Sequence, residues 1–255
     1  MNPIEQFAEE CERENALQGK DTVARKLAED FLARPSLRHY SYHFTWMGRP
    51  IIQYPPDIIA MQELVYSTRP DLIIETGIAH GGSLIFYASL LELNALCGGP
   101  TNAHVLGVDI DIRSHNRTEL ERHPLFQRGR ITMLEGSSIA TDMVRHVAEF
   151  ARERQTVMVC LDSLHTHDHV MAELEAYAPL VTPGSWLVVF DTVIESMPEN
   201  SYPERPWGRG NNPKTALDAF LAEHGEFERV SSIDDKLLIT ACPGGFCRRR
   251  AASGA

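Results

Sequence analysis

Five short apolar runs, separated by segments of helical pattern, constrain the fold of this chain more than any other feature. The runs are DLIIET from Asp71, HVLGVDI from His104, ITML from Ile131, VMVCLD from Val157 and SWLVVFD from Ser185. Their alternation with helical patterns is typical of a parallel sheet with crossover helices. After a helix over PKTALDAFLAEH, the runs FERVSSI and KLLITA are separated by two aspartates, which predicts a terminal antiparallel strand pair. The sequence therefore predicts an α/β fold with a doubly wound, Rossmann-like sheet of seven strands.

The chain divides by composition into three segments. Residues 1–34 are charged and helical in pattern, and residues 35–56 are rich in aromatic residues and proline. We expect a helical N-terminal extension with an aromatic lid over residues 1–60, and the α/β domain over residues 61–245. Residues 246–255 are short, basic and small, which is typical of a frayed tail.

Charge and hydropathy exclude several classes of partner. The 255 residues include 24 Lys and Arg against 35 Asp and Glu, a formal net charge of -11 at pH 7. Such a chain lacks the broad basic surface that gathers nucleic-acid phosphates. No apolar run approaches the roughly 18 residues of a bilayer span, and the first residues show no signal-peptide pattern. We expect a cytoplasmic protein with neither nucleic acid nor a membrane as a partner.

The turn after the first strand carries the most specific motif. The stretch DLIIETGIAHGGSL places Glu75 at the strand end, and Gly77, Gly81 and Ser83 in the turn to the next helix. A dinucleotide would require G-x-G-x-x-G there, without a carboxylate facing its pyrophosphate. A ligand with a sulfonium, an ammonium and a carboxylate fits better, because Glu75 favours the cations and Ser83 with the helix N-terminus receives the carboxylate. The pattern indicates S-adenosylmethionine, with a glycine turn used only for helix packing as the alternative.

Two later strand ends extend this predicted cofactor site. Asp109 ends the second run, where an acid in a doubly wound sheet can accept both ribose hydroxyls. The third run ends in MLEGSSIA, which offers four residues to the adenine edge: Glu135, Gly136, Ser137 and Ser138. Each signal is weak alone because acids and serines are common in such loops. Their order along three strands strengthens the interpretation.

The fourth and fifth runs carry the candidate reactive groups. Asp162 and Asp191 end these runs, and their converging carboxylates indicate a divalent cation, Mg²⁺ or else Mn²⁺ or Fe²⁺. Asp162 also borders the cofactor pocket. His165 is the candidate general base, because imidazole titrates near neutral pH. His167 is a weaker metal candidate, and His169 is expected to pack on its helix. The alternative is that these histidines cap the helix or bond locally.

Four longer stretches carry a resemblance to a known family. They are YHFTWMGRPIIQYPPDIIAMQE, PDLIIETGIAHGGSL, LDSLHTHDHVMAELEAYAPLVTPGSWLVVFDT and RPWGRGNNPKTALDAFL with DDKLLIT beyond it. Between about Tyr40 and Thr240 the chain resembles the cephalosporin hydroxylase family, which also includes rhamnosyl O-methyltransferases. The resemblance implies the class I methyltransferase fold, S-adenosylmethionine, often Mg²⁺, a homo-oligomer, and a sugar or natural-product hydroxyl as acceptor.

The same resemblance bears on the reactive groups. The spacing from Glu75 to Ser83 is also similar to that of metal-dependent catechol-type O-methyltransferases, whose first metal ligand falls on Asp162 and whose catalytic lysine falls on His165. Related sugar O-methyltransferases have a histidine base at that position. Both groups usually carry a carboxylate where this chain has Phe190, so either the metal site is weakened or a histidine fills the vacant place.

Three functions remain open from the sequence. The first is a metal-assisted O-methyltransferase, in which the metal lowers the pKa of the acceptor hydroxyl and His165 takes its proton. The second is a non-haem metal oxygenase whose triad combines two histidines with one carboxylate. The third is a non-catalytic protein that binds the cofactor and assists a partner enzyme.

The acceptor is expected to bind outside the sheet. The segment TVIESMPENSYPERPWGRGNNPK after Asp191 is longer than an ordinary connection of roughly 12 to 15 residues, and loops of this length often act as lids. Trp207 and Arg209 of this segment, with Tyr42 and Trp46 of the N-terminal part, are the candidate acceptor-binding residues. Packing of the lid or of a subunit interface would use the same aromatic residues.

Overall fold

The N-terminal part of the chain is helical. The structure, a computed structural model, describes residues 2–34 and 39–251, so residues 35–38 of the expected aromatic lid lie outside it. Helix α1 (Pro3–Gln18) begins after Asn2, which forms a capping box, and helix α2 (Thr22–Leu32) begins after Asp21. Because α1 has no buried residue, it adds little to the core.

Residues 39–68 connect this extension to the sheet. Two short strands, β1 (Thr45–Trp46) and β2 (Arg49–Pro50), pair antiparallel and are followed by helix α3 (Pro55–Thr68). The buried face of α3 joins the main hydrophobic core through Ala60, Met61, Leu64 and Val65. The expected domain boundary after residue 60 therefore lies inside a helix that packs on the domain.

Seven strands form the central sheet in the spatial order β5-β4-β3-β6-β7-β9-β8. Their bounds are β3 Leu72–Thr76, β4 His104–Asp109, β5 Ile131–Glu135, β6 Val157–Leu161, β7 Trp186–Val189, β8 Phe227–Arg229 and β9 Phe246–Arg249. The first five are parallel, while β9 runs antiparallel to both β7 and β8. This confirms the doubly wound sheet and places each of the five apolar runs in a strand.

Helices cover both faces of the sheet. The remaining ones are α4 Gly82–Leu96, α5 Ser114–Arg122, α6 Pro124–Gln127, α7 Thr141–Ala151, α8 His167–Tyr177, α9 Pro213–Glu223 and α10 Ser231–Leu237. Alternate strand residues face opposite sides: Ile73 belongs to one core cluster with α3 and α4, and Ile74 to the other with α7, α8 and α9. Within the described residues, no helix combines the length and hydropathy needed to cross a bilayer.

The terminal strand pair is present, but its second strand was predicted in the wrong place. KLLITA is not a strand: the chain forms α10 over Ser231–Leu237, and the backbone N–H of Ala241 bonds to the buried carboxylate of Asp57. The strand β9 lies in the expected frayed tail, which was wrong for residues 246–249. Arg248 lies over the ring of Trp186, so this basic sequence is anchored to the sheet. Residues 252–255 of that tail lie outside the described part of the chain.

Candidate active site

The predicted site residues lie along one edge of the sheet because parallel strands end on the same side. In the register, Thr76 at the end of β3 pairs with Val108 of β4 and Leu161 of β6. Asp109 and Glu135 are likewise paired at the ends of β4 and β5. An open α/β sheet binds its ligands at this edge.

The glycine turn between β3 and α4 is tightly packed. Gly77 and Gly81 have φ of 91° and 78°, in the left-handed region that favours glycine. A Cβ at Gly77 would lie 2.1 Å from the carbonyl oxygen of Asp162, and one at Gly82 would lie 2.1 Å from that of Pro50. The turn therefore needs glycine to approach the β6 loop and β2, whether or not a ligand binds above it.

Glu75 is a fully buried carboxyl group with one free oxygen. Its Oε2 accepts a 2.7 Å hydrogen bond from Ser83 Oγ, and its Oε1 has no hydrogen-bond partner. Burial raises the pKa of Glu75 to about 8, the Ser83 bond lowers it in part, and the charge of Asp109 raises it. A cationic donor placed at Oε1 would satisfy this oxygen, whereas the predicted carboxylate-binding hydroxyl of Ser83 is directed to Glu75.

The carboxylate of Asp109 braces the glycine turn. Its Oδ2 accepts backbone hydrogen bonds of 2.7 Å from Ile78 and 3.1 Å from Ala79, and its Oδ1 accepts one of 3.1 Å from Asp111. Asp109, the residue expected to bind ribose, thus fixes the glycine turn after β3 and the start of the loop after β4. A ribose hydroxyl would have to share this carboxylate with the turn.

The adenine loop after β5 is fixed by its neighbours. Glu135 forms a 2.8 Å ion pair with Arg117, and Gly136 donates its N–H to the carbonyl oxygen of Asp109. Ser137 is half-buried, whereas Ser138 is buried and accepts, through its carbonyl, a 2.6 Å bond from the Tyr177 hydroxyl. All four residues lie at the expected edge, with Ser138 facing inward.

Asp162, His165 and Asp191 form the one cluster of three potential metal-ligating residues found among the described residues. One ligand atom from each side chain lies within 4.8 Å of the others. His165 Nε2 is 3.1 Å from Asp191 Oδ2. Burial, followed by the charges of Asp191 and Glu75, raises the pKa of Asp162 well above its usual range. This concentration of carboxyl groups favours a bound cation.

The backbone explains why Asp191 joins this cluster and Phe190 does not. Phe190 is 2% exposed and packs in the hydrophobic core. Asp191 follows in a left-handed conformation with φ of 56°, and its side chain is partly exposed. The position at which the family resemblance led us to expect a second carboxylate therefore contributes a ring to the core.

The structure does not bring His167 into the cluster. Its Nδ1 lies 2.9 Å from Thr215 Oγ1, and its backbone N–H donates to Asn211 Oδ1 at 2.8 Å. His167 begins α8 and links it to the start of α9. This local bonding corresponds to the alternative considered from the sequence.

Sequence reasoning missed a buried polar network behind the cluster. His169 Nε2 lies 3.1 Å from Ser163 Oγ and 3.2 Å from Ser138 Oγ, and Ser163 Oγ donates to the fully buried Glu173 Oε1 at 2.7 Å. His169 does pack within its helix region, as expected, but it also joins the loops after β5 and β6. The spacing of His169 and Glu173, one helical turn apart, was the available signal.

The segment after Asp191 forms a pocket beside the cluster. The pocket has a volume of about 380 Å³ and is lined by residues 194, 197–203, 205 and 207–209, including Tyr202, Arg205, Trp207 and Arg209. The rings of Trp207 and His165 meet edge to face with centroids 5.3 Å apart. Burial raises the pKa of Tyr202, and the charge of Asp191 adds to this effect, so the phenol also borders the cluster. Tyr202 and Arg205 were not singled out from the sequence.

The two N-terminal aromatic candidates differ in their surroundings. Trp46 donates its indole N–H to Ser89 Oγ at 3.0 Å and packs against Phe86, so it stabilises the contact between β1 and α4. Tyr42 is exposed, with its ring 5.3 Å from that of His39, and it is near enough to Tyr202 for its charge to raise the pKa of that pocket residue. Neither residue lines the pocket formed by the segment after Asp191.

Comparisons with known proteins agree with this architecture. Residues 38–250 match the model of the family described as rhamnosyl O-methyltransferase/CmcI. A rhamnosyl O-methyltransferase of Mycobacterium leprae is 30% identical over 209 residues, which cover 81% of this chain and 83% of the relative. The rhamnosyl O-methyltransferase of Mycobacterium tuberculosis strain H37Rv is 29% identical over 209 residues. These cover 80% of this chain and 78% of the relative.

Solved structures show the same fold. An apo structure of CmcI superposes with a TM-score of 0.58 at 17% identity, covering 83% of this chain and 78% of that one. A CmcI structure described as containing Mg and S-adenosylmethionine gives 0.57 at 16% identity, covering 82% and 78%. The fold is therefore that of the class I methyltransferases, and the chain belongs to the rhamnosyl O-methyltransferase/CmcI family.

Proposed function

We propose that this protein is an S-adenosylmethionine-dependent O-methyltransferase, assisted by a divalent cation, that acts on a hydroxyl group of a sugar or small natural product. The observation that carries the proposal is the cluster of Asp162, His165 and Asp191 beside the free buried oxygen of Glu75. The names of the relatives and the ligands of the CmcI structure support the same activity.

The residues present fit the cofactor. Glu75 Oε1 is a buried acceptor without a partner, which suits an ammonium or sulfonium group. Asp109 and the loop from Glu135 to Ser138 lie on the next two strands outward, where the ribose and adenine would bind. S-adenosylmethionine would supply the methyl group, and the protein would supply orientation and a proton acceptor.

The residues also fit a divalent cation. Two carboxylates provide the oxygen ligands that Mg²⁺ prefers, and the imidazole in the set is equally suited to Mn²⁺ or Fe²⁺. With Phe190 in the core, the carboxylates offered at this point are those of Asp162 and Asp191, and His165 lies beside them. A bound cation would lower the pKa of the acceptor hydroxyl.

His165 is positioned to accept the proton from that hydroxyl. Asp191 lies 3.1 Å from Nε2 and favours the tautomer that carries its proton on Nε2, which leaves Nδ1 free as a base. The Trp207 ring packs against the imidazole, and the His165 side chain is 17% exposed. In this arrangement Asp191 Oδ2 orients the base, while Asp162 and the other carboxylate oxygen of Asp191 would hold the cation.

The geometry favours methyl transfer over the oxygenase alternative. A non-haem iron triad uses two histidines and one carboxylate, whereas this cluster has one histidine and two carboxylates. The other candidate, His167, is bonded to Thr215. The sheet is also of the methyltransferase type rather than a double-stranded β-helix.

The test separates chemistry from cofactor binding. We expect His165→Ala to lower methyl transfer from labelled S-adenosylmethionine by at least about 100-fold, because the proton acceptor is lost. Affinity for S-adenosylhomocysteine, measured by calorimetry, should stay within about 2-fold. Asp109→Ala should instead weaken cofactor binding, and His146→Ala, at an exposed residue of α7, is the matched control.

Three results would count against the proposal. Equal loss of turnover and cofactor affinity in His165→Ala would remove the base assignment. Wild-type protein that binds S-adenosylhomocysteine but transfers no methyl group to any sugar or phenol would favour the non-catalytic role. Absence of cofactor binding, with chelator or with Mg²⁺, Mn²⁺ or Fe²⁺, would remove the central claim.

A further inference from the structure

The pocket after Asp191 has an aromatic wall that leads to the candidate base. Tyr202 and Trp207 lie with ring centroids 4.7 Å apart, and Trp207 meets His165 at 5.3 Å. The wall therefore runs from the pocket interior to the imidazole. A flat or ring-shaped acceptor lying on it would reach the proton acceptor with one of its hydroxyls.

Two guanidinium groups line the same pocket without an acidic partner. Arg205 lies over the Trp207 ring, 5.9 Å from its centroid, and Arg209 is exposed. Across the described ranges, neither guanidinium takes part in a salt bridge or in a side-chain hydrogen bond; the same holds for the surface residues Arg145 and Arg152, but Arg205 and Arg209 line one pocket. The chain has a net charge of -11, so two arginines without an acidic partner in one cavity concentrate positive charge there.

The nearby acids do not neutralise this pair. Glu199 is the one acid among the pocket-lining residues, and Glu204 precedes Arg205 in the sequence; both are exposed, and neither forms a salt bridge with Arg205 or Arg209. Glu195 is occupied, since its Oε2 accepts hydrogen bonds from Asn212 Nδ2 at 2.6 Å and from the Gly210 N–H at 2.8 Å. The positive charge is therefore available to a ligand.

We propose that the acceptor is anionic: Arg205 and Arg209 bind a carboxylate or phosphate group of the acceptor while its ring lies against Tyr202 and Trp207. The proposal rests on the proposed methyltransferase function and adds its substrate class. A guanidinium matches the planar pair of oxygens in either anion, and its stacking on Trp207 orients it before binding. Arg205 and His165 lie 5.9 Å and 5.3 Å from the Trp207 ring centroid, a span that suits a single sugar ring.

The experiment compares glycosides that differ in one group. Phenyl β-D-glucuronide carries a carboxylate, phenyl β-D-glucoside 6-phosphate a phosphate, and phenyl β-D-glucoside neither. Binding to the wild-type protein is measured by tryptophan fluorescence at low salt, with and without S-adenosylhomocysteine. We expect at least one anionic glycoside to bind about tenfold or more tightly than the neutral one, and a weaker preference at high salt. Which anion binds better distinguishes the two chemistries.

Variants assign the preference to the two arginines. The double variant Arg205→Gln with Arg209→Gln should lower the preference to within about 2-fold, and Arg205→Lys with Arg209→Lys should restore part of it. Arg13→Gln, on the exposed surface of α1, is the matched control. Calorimetry with S-adenosylhomocysteine should show unchanged affinity in all of them.

Several outcomes would overturn the proposal. They are equal binding of the three glycosides, tighter binding of the neutral one, a preference that survives in the double glutamine variant, and no binding of any glycoside to protein that binds S-adenosylhomocysteine. Loss of S-adenosylhomocysteine binding in the wild type would instead refute the proposed function. In that case, glycoside titrations without S-adenosylhomocysteine would still test whether Arg205 and Arg209 bind the anion.

Discussion

At the scale of single residues, the site depends on carboxyl groups held away from water. Glu75 is the clearest case, because its burial raises its pKa to about 8 while one of its oxygens lacks a partner. In the free protein at pH 7 this group is therefore mostly protonated. A cation at Oε1 would favour the carboxylate, so ligand binding and proton release are linked.

We predict that S-adenosylmethionine binding at pH 7 releases a fraction of a proton and that affinity rises with pH up to about 8. Binding releases a proton because the pKa of Glu75 is about 8 in the free protein and would be lower beside a cation. Calorimetry in phosphate and in Tris, whose ionisation enthalpies differ, measures the release. Glu75→Gln should abolish it, and Glu135→Gln, at a half-exposed residue, should not. Equal release in wild type and Glu75→Gln would contradict this assignment.

The sequence predicted where site residues lie better than what they contact. Asp109, Asp162 and Asp191 were placed at strand ends because apolar runs stop there, and the fold confirms those positions. Their partners could not be predicted, since the contact of His165 with Asp191 and that of Trp46 with Ser89 join distant parts of the chain. Spacing identifies an edge of the sheet, whereas hydrogen bonds depend on how loops from several strands meet.

At the scale of secondary-structure elements, helix α9 anchors the pocket segment. Asn212 is fully buried and caps α9, with its Oδ1 accepting from the backbone of Lys214 and Thr215. Its Nδ2 donates to Glu195 and to the carbonyl oxygen of Gly208. One side chain thus joins the start of the helix to both ends of the pocket segment.

We predict that Asn212→Ala lowers the free energy of unfolding by about 1–3 kcal/mol, because a helix cap and two buried hydrogen bonds are lost. It should also weaken binding of the phenyl glycosides without changing S-adenosylhomocysteine affinity. Asn2→Ala, which removes an exposed capping box from α1, is the matched control and should leave both ligands unaffected. Denaturant titration and fluorescence check these effects. Unchanged glycoside binding in Asn212→Ala would show that the cap does not hold the pocket.

The terminal strand pair shows why one element was misplaced. FERVSSI and KLLITA look like two strands joined by a turn, yet Ile233 and Leu237 lie one helical turn apart and pack on the core from α10. The basic run at Phe246–Arg249 has little strand character by composition. It forms β9 because the edge of β7 is open there and the guanidinium of Arg249 bonds to the carbonyl oxygens of Pro179 and Val181. The sequence of residues 246–249 alone does not show that an unpaired edge of β7 is available to them, because that edge depends on how the other strands assemble.

At the scale of the whole molecule, Asp57 joins helix α3 to residues 240–241 near the C-terminus. It is fully buried in α3 and accepts hydrogen bonds from the hydroxyl of Thr240 and from the Ala241 N–H, 183 and 184 residues away. This contact holds the KLLITA region against α3 instead of in the sheet. Burial, opposed in part by these two bonds, raises the pKa of Asp57 to about 7.

The last prediction concerns the pH dependence of stability. Because the pKa of Asp57 is about 7 in the folded protein and near 3.8 when unfolded, the folded state binds the extra proton between these values. The Asp57 contribution to stability is therefore greatest at low pH and falls as pH rises from about 4 to 7, by at most about 4 kcal/mol. Asp57→Asn mimics the protonated acid, since its amide can donate to Thr240 Oγ1 and accept from Ala241. Urea titrations between pH 5 and 8 should show wild type losing stability relative to Asp57→Asn as pH rises, whereas a constant difference would mean that Asp57 stays ionised in the fold.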